Sequence, residues 1–200
     1  MTTPDLIARV VAGLARDGAD TSDFDLNPDV PLAGGRVLRP AAVLVPLVLT
    51  GGQAELILTK RAARLQHHAG QIAFPGGKQD AGDSGPTDAA LREAEEEIGL
   101  PRACVQVLGT MSQHETVTGF AITPIVGLVH APFDPRPEPG EVDEVFRVPL
   151  AHVLDPAQYR IEGRRWQGRR RYYFTVPYGP YYIWGATARI LRALADRVGG

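Results

Sequence analysis

The sequence predicts an α+β or layered α/β/α domain, and three observations support this fold class. Dense apolar runs at residues 41–50 and 55–61 flank a Gly-Gly-Gln turn, as the two strands of a hairpin do. Further strand-like runs occur at 105–111 and 121–129. Helical spacing of apolar residues is found near both ends of the chain. Strands therefore dominate the middle of the chain, with helices between them and at its ends.

The two terminal helices are predicted from their apolar stripes. The first, over residues 4–16, carries its apolar side chains at helical spacing: Leu6, Val10, Val11 and Leu14. The last, over 186–198, has a comparable stripe: Ile190, Leu191, Leu194 and Val198. The segment 17–35 is polar and rich in Asp, Pro and Gly, which predicts a connecting loop. A length of 200 residues indicates one domain over 1–200.

Proline and aromatic residues refine the other elements. Pro46 inside the first apolar run predicts an edge position or a bulge, because proline cannot donate a hydrogen bond to a ladder. Residues 131–141 contain four prolines and predict an exposed loop. Residues 142–150 predict a strand that leads into a short helix near 150–154, and the Tyr- and Phe-rich segment 170–176 predicts another strand.

Composition excludes several classes of protein. Lys and Arg total 21 against 23 Asp and Glu, a net charge of −2, which argues against a nucleic-acid binder that depends on bulk positive charge. The longest apolar run, 41–49, is far shorter than the roughly 20 residues that span a bilayer, so we expect no membrane association. Cys104 is the only cysteine, which excludes an internal disulfide and favours a reducing cytoplasmic location.

The most informative segment is an acidic helix. Thr87 is a plausible N-cap, and Gly99 marks the end of the helix. At about 100° per residue, three carboxylates fall on one face: Glu93, Glu96 and Glu97. Apolar residues fall on the opposite face: Leu91, Ala94 and Ile98. Like charges at this spacing destabilise an isolated helix, so a positive group is expected against them.

Two interpretations of the acidic face are open from the helix alone. One is a solvated surface, and the other is a site for Mg²⁺ or Mn²⁺, which prefer oxygen ligands. Arg92 can hydrogen-bond a carboxylate through two nitrogens and fix its orientation, whereas Glu95 points away from the cluster. The turn Phe-Pro-Gly-Gly at 74–77 lies one loop earlier, where a backbone carbonyl could share an ion with the carboxylates. This combination favours a cation site.

The segment from the glycine turn to the end of the acidic helix resembles a motif of a known protein family. Gly77 together with Arg-Glu-Ala-Glu-Glu-Glu-Ile-Gly-Leu at 92–100 resembles the Nudix box, G-x5-E-x7-R-E-U-x-E-E-x-G-U, where U is a bulky apolar residue. Ala94 is small for U. Asp83 stands where the pattern has its first Glu, and eight residues rather than seven separate it from Arg92. This longer spacing, often with Asp, is similar to the coenzyme A (CoA) pyrophosphatase branch of the family.

A second motif upstream is similar to the same branch. Residues 58–77 resemble its signature L-L-T-x-R-[SA]-x3-R-x3-G-x3-F-P-G-G. Gln66 replaces the second Arg of the signature, so a phosphate contact there is either lost or supplied by Arg64 or His67. The likeness extends over about residues 36–198, which we take as the core of the domain. It implies the Nudix fold, with a mixed central sheet between helices.

The resemblance also implies an activity and a site. Nudix hydrolases cleave nucleoside diphosphate derivatives with divalent metals, and this branch would split CoA into a phosphopantetheine and adenosine 3′,5′-bisphosphate with Mg²⁺ or Mn²⁺. The implied metal ligands are Glu93, Glu96, Glu97 and the Gly76 carbonyl. The implied catalytic residues are Arg92, Glu93 and Glu97. The implied substrate-binding residues are Arg61, Arg64, His67 and Gln71. Candidates for the general base are Glu93, Glu115 and Glu144.

Other functions stay open from the sequence. The substrate could be another nucleoside diphosphate derivative, such as ADP-ribose, a nucleotide sugar or a dinucleoside polyphosphate. A non-catalytic Nudix-fold binding module would usually have lost the carboxylates that this chain keeps. The basic residues of 164–171 predict a solvated hairpin, with binding of a 3′-phosphate as the alternative, and the aromatic residues of 178–184 predict packing rather than base stacking. The expected partner is a small molecule, and the chain could be a monomer or a homodimer.

Overall fold

A computed structural model describes residues 3–30, 35–166 and 168–199. The strands are β1 (Thr21–Ser22), β2 (Arg39–Thr50), β3 (Gln53–Arg61), β4 (Ile72–Ala73), β5 (Gly76–Lys78), β6 (Val105–Thr110), β7 (His114–Glu115), β8 (Phe120–Val129), β9 (Val142–Pro149), β10 (Arg160–Trp166) and β11 (Arg169–Thr175). The α-helices are α1 (Thr3–Leu14), α2 (Pro86–Ile98), α3 (Leu150–Val153) and α4 (Gly185–Gly199). Short 3₁₀ turns occupy Arg102–Cys104 and Pro156–Gln158.

The main sheet of the described residues is mixed. Its hydrogen-bonded order is β1-β7-β8-β2-β3-β4, with β5 also paired to β2, β6 to β8 and β9 to β3. The pairs β2–β8 and β1–β7 are parallel, and the other pairs in this sheet are antiparallel. Strands β10 and β11 form a separate antiparallel hairpin. The predicted hairpins at 41–61 and in the basic segment are thus present.

Helices cover both faces of the main sheet. Along β3, Leu56 and Leu58 belong to one buried cluster with Leu191 of α4, whereas Ile57 belongs to a second cluster with Ala90 of α2. This division follows the alternation of side chains along a strand. Helices α1 and α4 pack on each other over the first cluster. The predicted layered α/β/α fold with a mixed central sheet is confirmed.

The prediction for Pro46 is wrong. Strand β2 is central, with β8 on one side and with β5 and β3 on the other. Antiparallel pairing involves residues 41–43 with β5 and residues 47–50 with β3, so Pro46 lies between the two registers. Leu44 N–H donates to the Pro75 carbonyl at 2.9 Å, and Pro46, two residues on, turns its nitrogen to the same side. The gap between β5 and β3 therefore accommodates a residue without a donor.

The loop predicted at 17–35 contains a strand. Thr21 and Ser22 pair in parallel with His114 and Glu115, a contact across more than ninety residues that no local pattern reveals. Residues 31–34 of that predicted loop lie outside the described residues. In the part of the chain that is described, no helix combines the length and hydrophobicity needed to cross a membrane. The single domain over 1–200 stays a prediction.

Candidate active site

Helix α2 begins two residues earlier than the sequence indicated. Gly85 is the N-cap and Pro86 the first helical residue, so the prediction of Thr87 as the cap is wrong. Proline is favoured at this position because its fixed φ suits the helix and its missing N–H would have no partner there. The Asp88 carboxylate accepts a hydrogen bond from the backbone N–H of Ser84 at 3.0 Å, which lowers its pKa and ties the preceding loop to the first turn.

The end of α2 is held by a glycine and by the proline-rich loop. Gly99 adopts a left-handed conformation with φ 68°, and its N–H donates to the Glu95 carbonyl at 3.0 Å. The carbonyls of Glu97 and Ile98 accept hydrogen bonds, each 2.9 Å long, from Glu138 and Arg136. Residues 131–141, predicted as a plain exposed loop, thus dock their backbone on the carboxyl end of the acidic helix.

Arg92 organises one side of the acidic cluster. Its Nε and Nη2 hydrogen-bond the two carboxylate oxygens of Asp83 at 2.9 and 3.0 Å. Its Nη1 reaches Glu93 at 3.1 Å and Glu96 at 3.0 Å, and Nη2 also donates to the Lys78 carbonyl at 3.1 Å. The guanidinium lowers the pKa of Asp83 to about 2, and that hydrogen bond raises the pKa of Arg92 itself. The predicted bidentate bond is therefore present.

Glu97 is the buried member of the cluster. The residue is 4% exposed, and one carboxylate oxygen accepts a hydrogen bond from the Gly76 N–H at 3.1 Å. Arg61 Nη1 lies 4.0 Å from the other oxygen. Burial raises the pKa of Glu97 to about 7, although the Gly76 hydrogen bond and Arg61 both act to lower it. This carboxyl group is thus poised to exchange a proton near neutral pH.

Glu93 lies against the glycine turn. Burial is the main cause that raises its pKa, and the hydrogen bond from Arg92 opposes the rise. A Cβ added to Gly77 would lie 2.4 Å from a Glu93 carboxylate oxygen, and one added to Gly76 would lie 2.5 Å from the Ala42 carbonyl. Gly76 is therefore required by its close approach to the backbone of β2, whereas a side chain at Gly77 would have to displace the Glu93 carboxylate.

The donor chemistry of this cluster suits a hard divalent cation. The candidate ligand atoms are oxygens, and the pKa values of half-buried Glu93 and buried Glu97 are both raised, a shift that a nearby cation would reverse. Within the described ranges, no three acidic, histidine or cysteine side chains already converge in metal-holding geometry. The reason is visible at Glu96, whose side chain is 59% exposed and bonds Arg92.

The structure brings only part of the predicted substrate-binding set to α2. Arg61 lies beside Glu97, and Arg64 lies against the backbone of Gly140 at the end of the docked loop. His67 is exposed on the loop after β3. Gln71 bonds the neighbouring His68 ring at 3.0 Å and lines a cavity on another face of β3. Of the four, Arg61 is thus the residue found beside the carboxylates of α2, and the roles of all four stay predictions.

Two of the predicted base candidates are engaged elsewhere. Glu115 on β7 pairs with Arg36, and Glu144 on β9 accepts a hydrogen bond from the Tyr181 hydroxyl. The residue that sequence reasoning missed is Glu141. It lies just before β9, its negative charge contributes to the raised pKa of both Glu93 and Glu97, and its carbonyl accepts from Ala62 N–H at 2.9 Å. Only its place in the proline-rich segment could have drawn attention to it.

The structure thus has a mixed sheet between helices and a glycine turn pressed against the carboxylates of α2. Residues 38–169 match the model of the NUDIX domain. The chain is 42% identical over 161 residues to an uncharacterized Nudix hydrolase, NudL of Salmonella paratyphi B, covering 80% of this chain and 83% of NudL. The protein belongs to the Nudix family. It is a Nudix hydrolase, an enzyme that cleaves phosphoric anhydrides, and such enzymes generally need divalent metal ions.

Solved structures agree with this assignment. The Nudix hydrolase RenU of M. smegmatis superposes with a TM-score of 0.50 at 27% identity, covering 62% of this chain and 84% of RenU. A MutT/nudix family protein from Enterococcus faecalis also gives a TM-score of 0.50, at 16% identity, over 86% of this chain and 66% of its own. The second likeness concerns the fold alone.

Proposed function

We propose that this Nudix hydrolase cleaves CoA or a CoA derivative to a phosphopantetheine and adenosine 3′,5′-bisphosphate, using Mg²⁺ or Mn²⁺. Support for the substrate comes from the two branch motifs, the segment 58–77 and the eight-residue spacing between Asp83 and Arg92. Water adds across the phosphoric anhydride, so that one phosphate leaves with each half of the molecule. Among nucleoside diphosphate derivatives, CoA also carries a phosphomonoester on its ribose.

The observation that carries the proposal is the state of Glu97. A carboxyl group that is 4% exposed and has a pKa raised to about 7 is costly to keep ionised in an ordinary structural position. Gly76 donates to one of its carboxylate oxygens, Arg61 lies 4.0 Å from the other, and the negative charges of Glu93 and Glu141 add to the rise of its pKa.

We assign the metal to Glu93, Glu96, Glu97 and the Gly76 carbonyl. When bound, a divalent ion would neutralise pyrophosphate charge and lower the pKa of the attacking water. Glu96 now bonds Arg92 at 3.0 Å, and it would exchange that bond for the ion. Metal affinity should therefore rise with pH as Glu97 loses its proton.

The remaining side chains have positioning and binding roles in this proposal. Arg92 holds Glu93 in place through its 3.1 Å hydrogen bond and is itself fixed by Asp83. Arg61, with its side chain 30% exposed beside Glu97, can contact a substrate phosphate. Arg64, His67 and Gln71 are assigned to the substrate outside the pyrophosphate. Glu93 and Glu141 are the carboxylates best placed to serve as the general base.

The catalytic assignment is tested with one pair of variants on α2. We expect Glu97→Gln to keep the fold and to lower kcat by about 10²–10⁴, the range for a lost catalytic ligand or base. Glu95→Gln is the matched control, because Glu95 lies on the same helix with its side chain 49% exposed and paired with Arg102. Glu95→Gln should retain wild-type kcat. Near-wild-type activity of Glu97→Gln would overturn the assignment.

The substrate is tested by product identification. CoA, an acyl-CoA, ADP-ribose, a nucleotide sugar and a dinucleoside polyphosphate are compared with Mg²⁺ and with Mn²⁺. We expect adenosine 3′,5′-bisphosphate from CoA, with the highest kcat/KM of the panel. Equal or faster turnover of ADP-ribose would reject CoA as the substrate, and no hydrolysis of any compound would favour a binding module. A small-molecule partner and a cytoplasmic location complete the proposal, the latter resting on the single Cys104.

A further inference from the structure

The polar cavity that Gln71 lines lies on the face of β3 opposite the acidic helix. It is open to solvent, has a volume of about 540 Å³ and is lined among others by Lys60, Gln71, Glu144, Arg164, Tyr182 and Trp184. Lys60 continues the side of β3 that carries Leu56 and Leu58, the face covered by α4. The next side chain, Arg61, lies 4.0 Å from Glu97 on the α2 face. The two sites therefore meet at the carboxyl end of β3.

The charged side chains that line this cavity are Lys60, Arg164 and Glu144. Neither Lys60 nor Arg164 forms an ion pair or side-chain hydrogen bond with another of the described residues. The carboxylates nearby are already engaged: Glu144 accepts from the Tyr181 hydroxyl, and Glu162 accepts from the Tyr182 hydroxyl at 2.7 Å. Lys60 and Arg164 therefore carry the donors available to an anionic ligand such as a phosphomonoester, whereas each carboxylate is held by a tyrosine hydroxyl.

The aromatic wall of the cavity is held in place before any ligand binds. The rings of Tyr182 and Trp184 lie 6.5 Å apart, and Trp184 also packs edge-on against Tyr173 at 5.1 Å. The hydroxyl bond from Tyr182 to Glu162 fixes the first of these rings to β10. Fixed aromatic faces beside free cations are the groups that recognise a nucleobase together with a phosphate. Because the wall is already ordered, binding would cost less side-chain entropy.

We propose that this cavity binds the phosphomonoester-bearing nucleoside end of the substrate. Lys60 and Arg164 would contact the phosphomonoester, and Tyr182 and Trp184 would contact the base. The substrate would then pass over the end of β3, where consecutive residues Lys60 and Arg61 serve the two sites, so that its pyrophosphate lies against α2. This inference rests on the proposed function for the identity of the substrate, and it assigns the specificity to a separate set of residues.

Binding of the product half is the direct test. Isothermal titration calorimetry measures the Kd of adenosine 3′,5′-bisphosphate in EDTA, so that metal-dependent binding at α2 does not contribute. Lys60→Gln and Arg164→Gln should each weaken binding by about tenfold, the loss expected for one charge-assisted contact. Arg165→Gln is the matched control: it removes the same charge from the next residue of β10, whose side chain points to the other face of the hairpin. Equal Kd values for Arg164→Gln and Arg165→Gln would overturn the proposal, as would no binding by the wild type.

Two comparison ligands separate the parts of the cavity. Adenosine 5′-monophosphate and inorganic phosphate are titrated alongside the bisphosphate. Trp184→Leu should weaken binding of both nucleotides and leave inorganic phosphate unchanged. Inorganic phosphate that binds as tightly as the bisphosphate would overturn the base contact and with it the proposal. The melting temperature of each variant shows whether the fold is retained.

The binding and kinetic measurements can reject the cavity assignment and the hydrolase proposal independently of each other. Glu97→Gln should abolish most hydrolysis while leaving the Kd of adenosine 3′,5′-bisphosphate unchanged. Weakened binding by Arg164→Gln in an enzyme that does not hydrolyse CoA would reject the proposed substrate and keep the cavity assignment. Normal CoA hydrolysis with a KM unaffected by Lys60→Gln and Arg164→Gln would reject the cavity assignment and keep the substrate.

Discussion

Arg92 holds Asp83 through two parallel hydrogen bonds, Nε to Oδ1 at 2.9 Å and Nη2 to Oδ2 at 3.0 Å. The same guanidinium reaches Glu93 at 3.1 Å, so the loop after β5 and the acidic helix are fixed to each other. Asp83 is the residue at which the sequence departs from the general Nudix box. Asp83 has a shorter side chain than the Glu of the general pattern, but the loop that carries it is longer by one residue, and its carboxylate still reaches Arg92. This explains why the contact is kept although the sequence differs from the pattern.

Replacing Asp83 tests this positioning role. We expect Asp83→Asn to lower kcat/KM by about tenfold, because an amide cannot accept both guanidinium bonds and loss of such a supporting contact typically costs 10–100-fold. Asp80→Asn is the control. Asp80 lies 3.8 Å from the same guanidinium with its side chain 72% exposed, so its loss should leave kcat/KM unchanged. Steady-state kinetics of the two variants measure this difference. An equal fall of kcat/KM in Asp83→Asn and Asp80→Asn would contradict a specific role for Asp83.

Gly77 offers a steric test of the same site. A Cβ at this position would lie 2.4 Å from a Glu93 carboxylate oxygen, so Gly77→Ala must displace either the turn or the side chain. We expect kcat to fall by about 10²-fold, because small displacements of catalytic groups have large effects. Gly82→Ala in the following loop is the control, since a Cβ there meets nothing within 4 Å. Full activity of Gly77→Ala would show that Glu93 is free to move without consequence.

Local patterns predicted the larger elements and the acidic helix, but not the contacts between distant segments. The alternation along β3, the 3.6-residue period of α4 and the i, i+3, i+4 spacing of the glutamates on α2 each depend only on residues that are close in the sequence. A local pattern can therefore predict them. Pro46 was misread because its tolerance depends on a gap between two other strands. Glu141 was missed because the loop that carries it is positioned by backbone hydrogen bonds to the end of α2, which any sequence can make, and by packing of Phe133 on the cluster under α2.

The raised pKa of Glu97 predicts how the stability of the metal-free protein depends on pH. The folded-state pKa of about 7 exceeds the ordinary glutamate pKa of about 4.5, so the protonated form is favoured in the folded protein. The stabilising contribution is therefore complete below about pH 4.5 and is lost as the pH rises through 7. Relative to Glu97→Gln, the wild type in EDTA should lose about 3 kcal/mol of unfolding free energy between pH 4.5 and pH 8.

Urea unfolding at several pH values measures this difference. The comparison between wild type and Glu97→Gln removes contributions that both proteins share, such as titration of other carboxylates. Glu95→Gln, with an exposed side chain, should follow the wild-type curve. A constant difference between wild type and Glu97→Gln across this range would mean that Glu97 titrates normally. Saturating Mn²⁺ should reduce the pH dependence, because the ion favours the ionised carboxylate.

His114 provides a prediction that separates stability from activity. Its ring is fully buried on the β1–β7 edge, where Nδ1 bonds the Thr21 hydroxyl at 2.9 Å and Nε2 lies 3.3 Å from an Asp23 carboxylate oxygen. His114→Ala should destabilise the protein by about 2–4 kcal/mol, because it leaves a cavity and removes the partner of a buried hydroxyl. His130→Ala is the control, since that side chain is exposed and should have little effect on unfolding. Measured at a temperature at which both variants are folded, kcat should equal that of the wild type, because neither histidine touches α2 or the cavity beside β3. A large loss of kcat in folded His114→Ala would instead place this edge of the sheet in the active site.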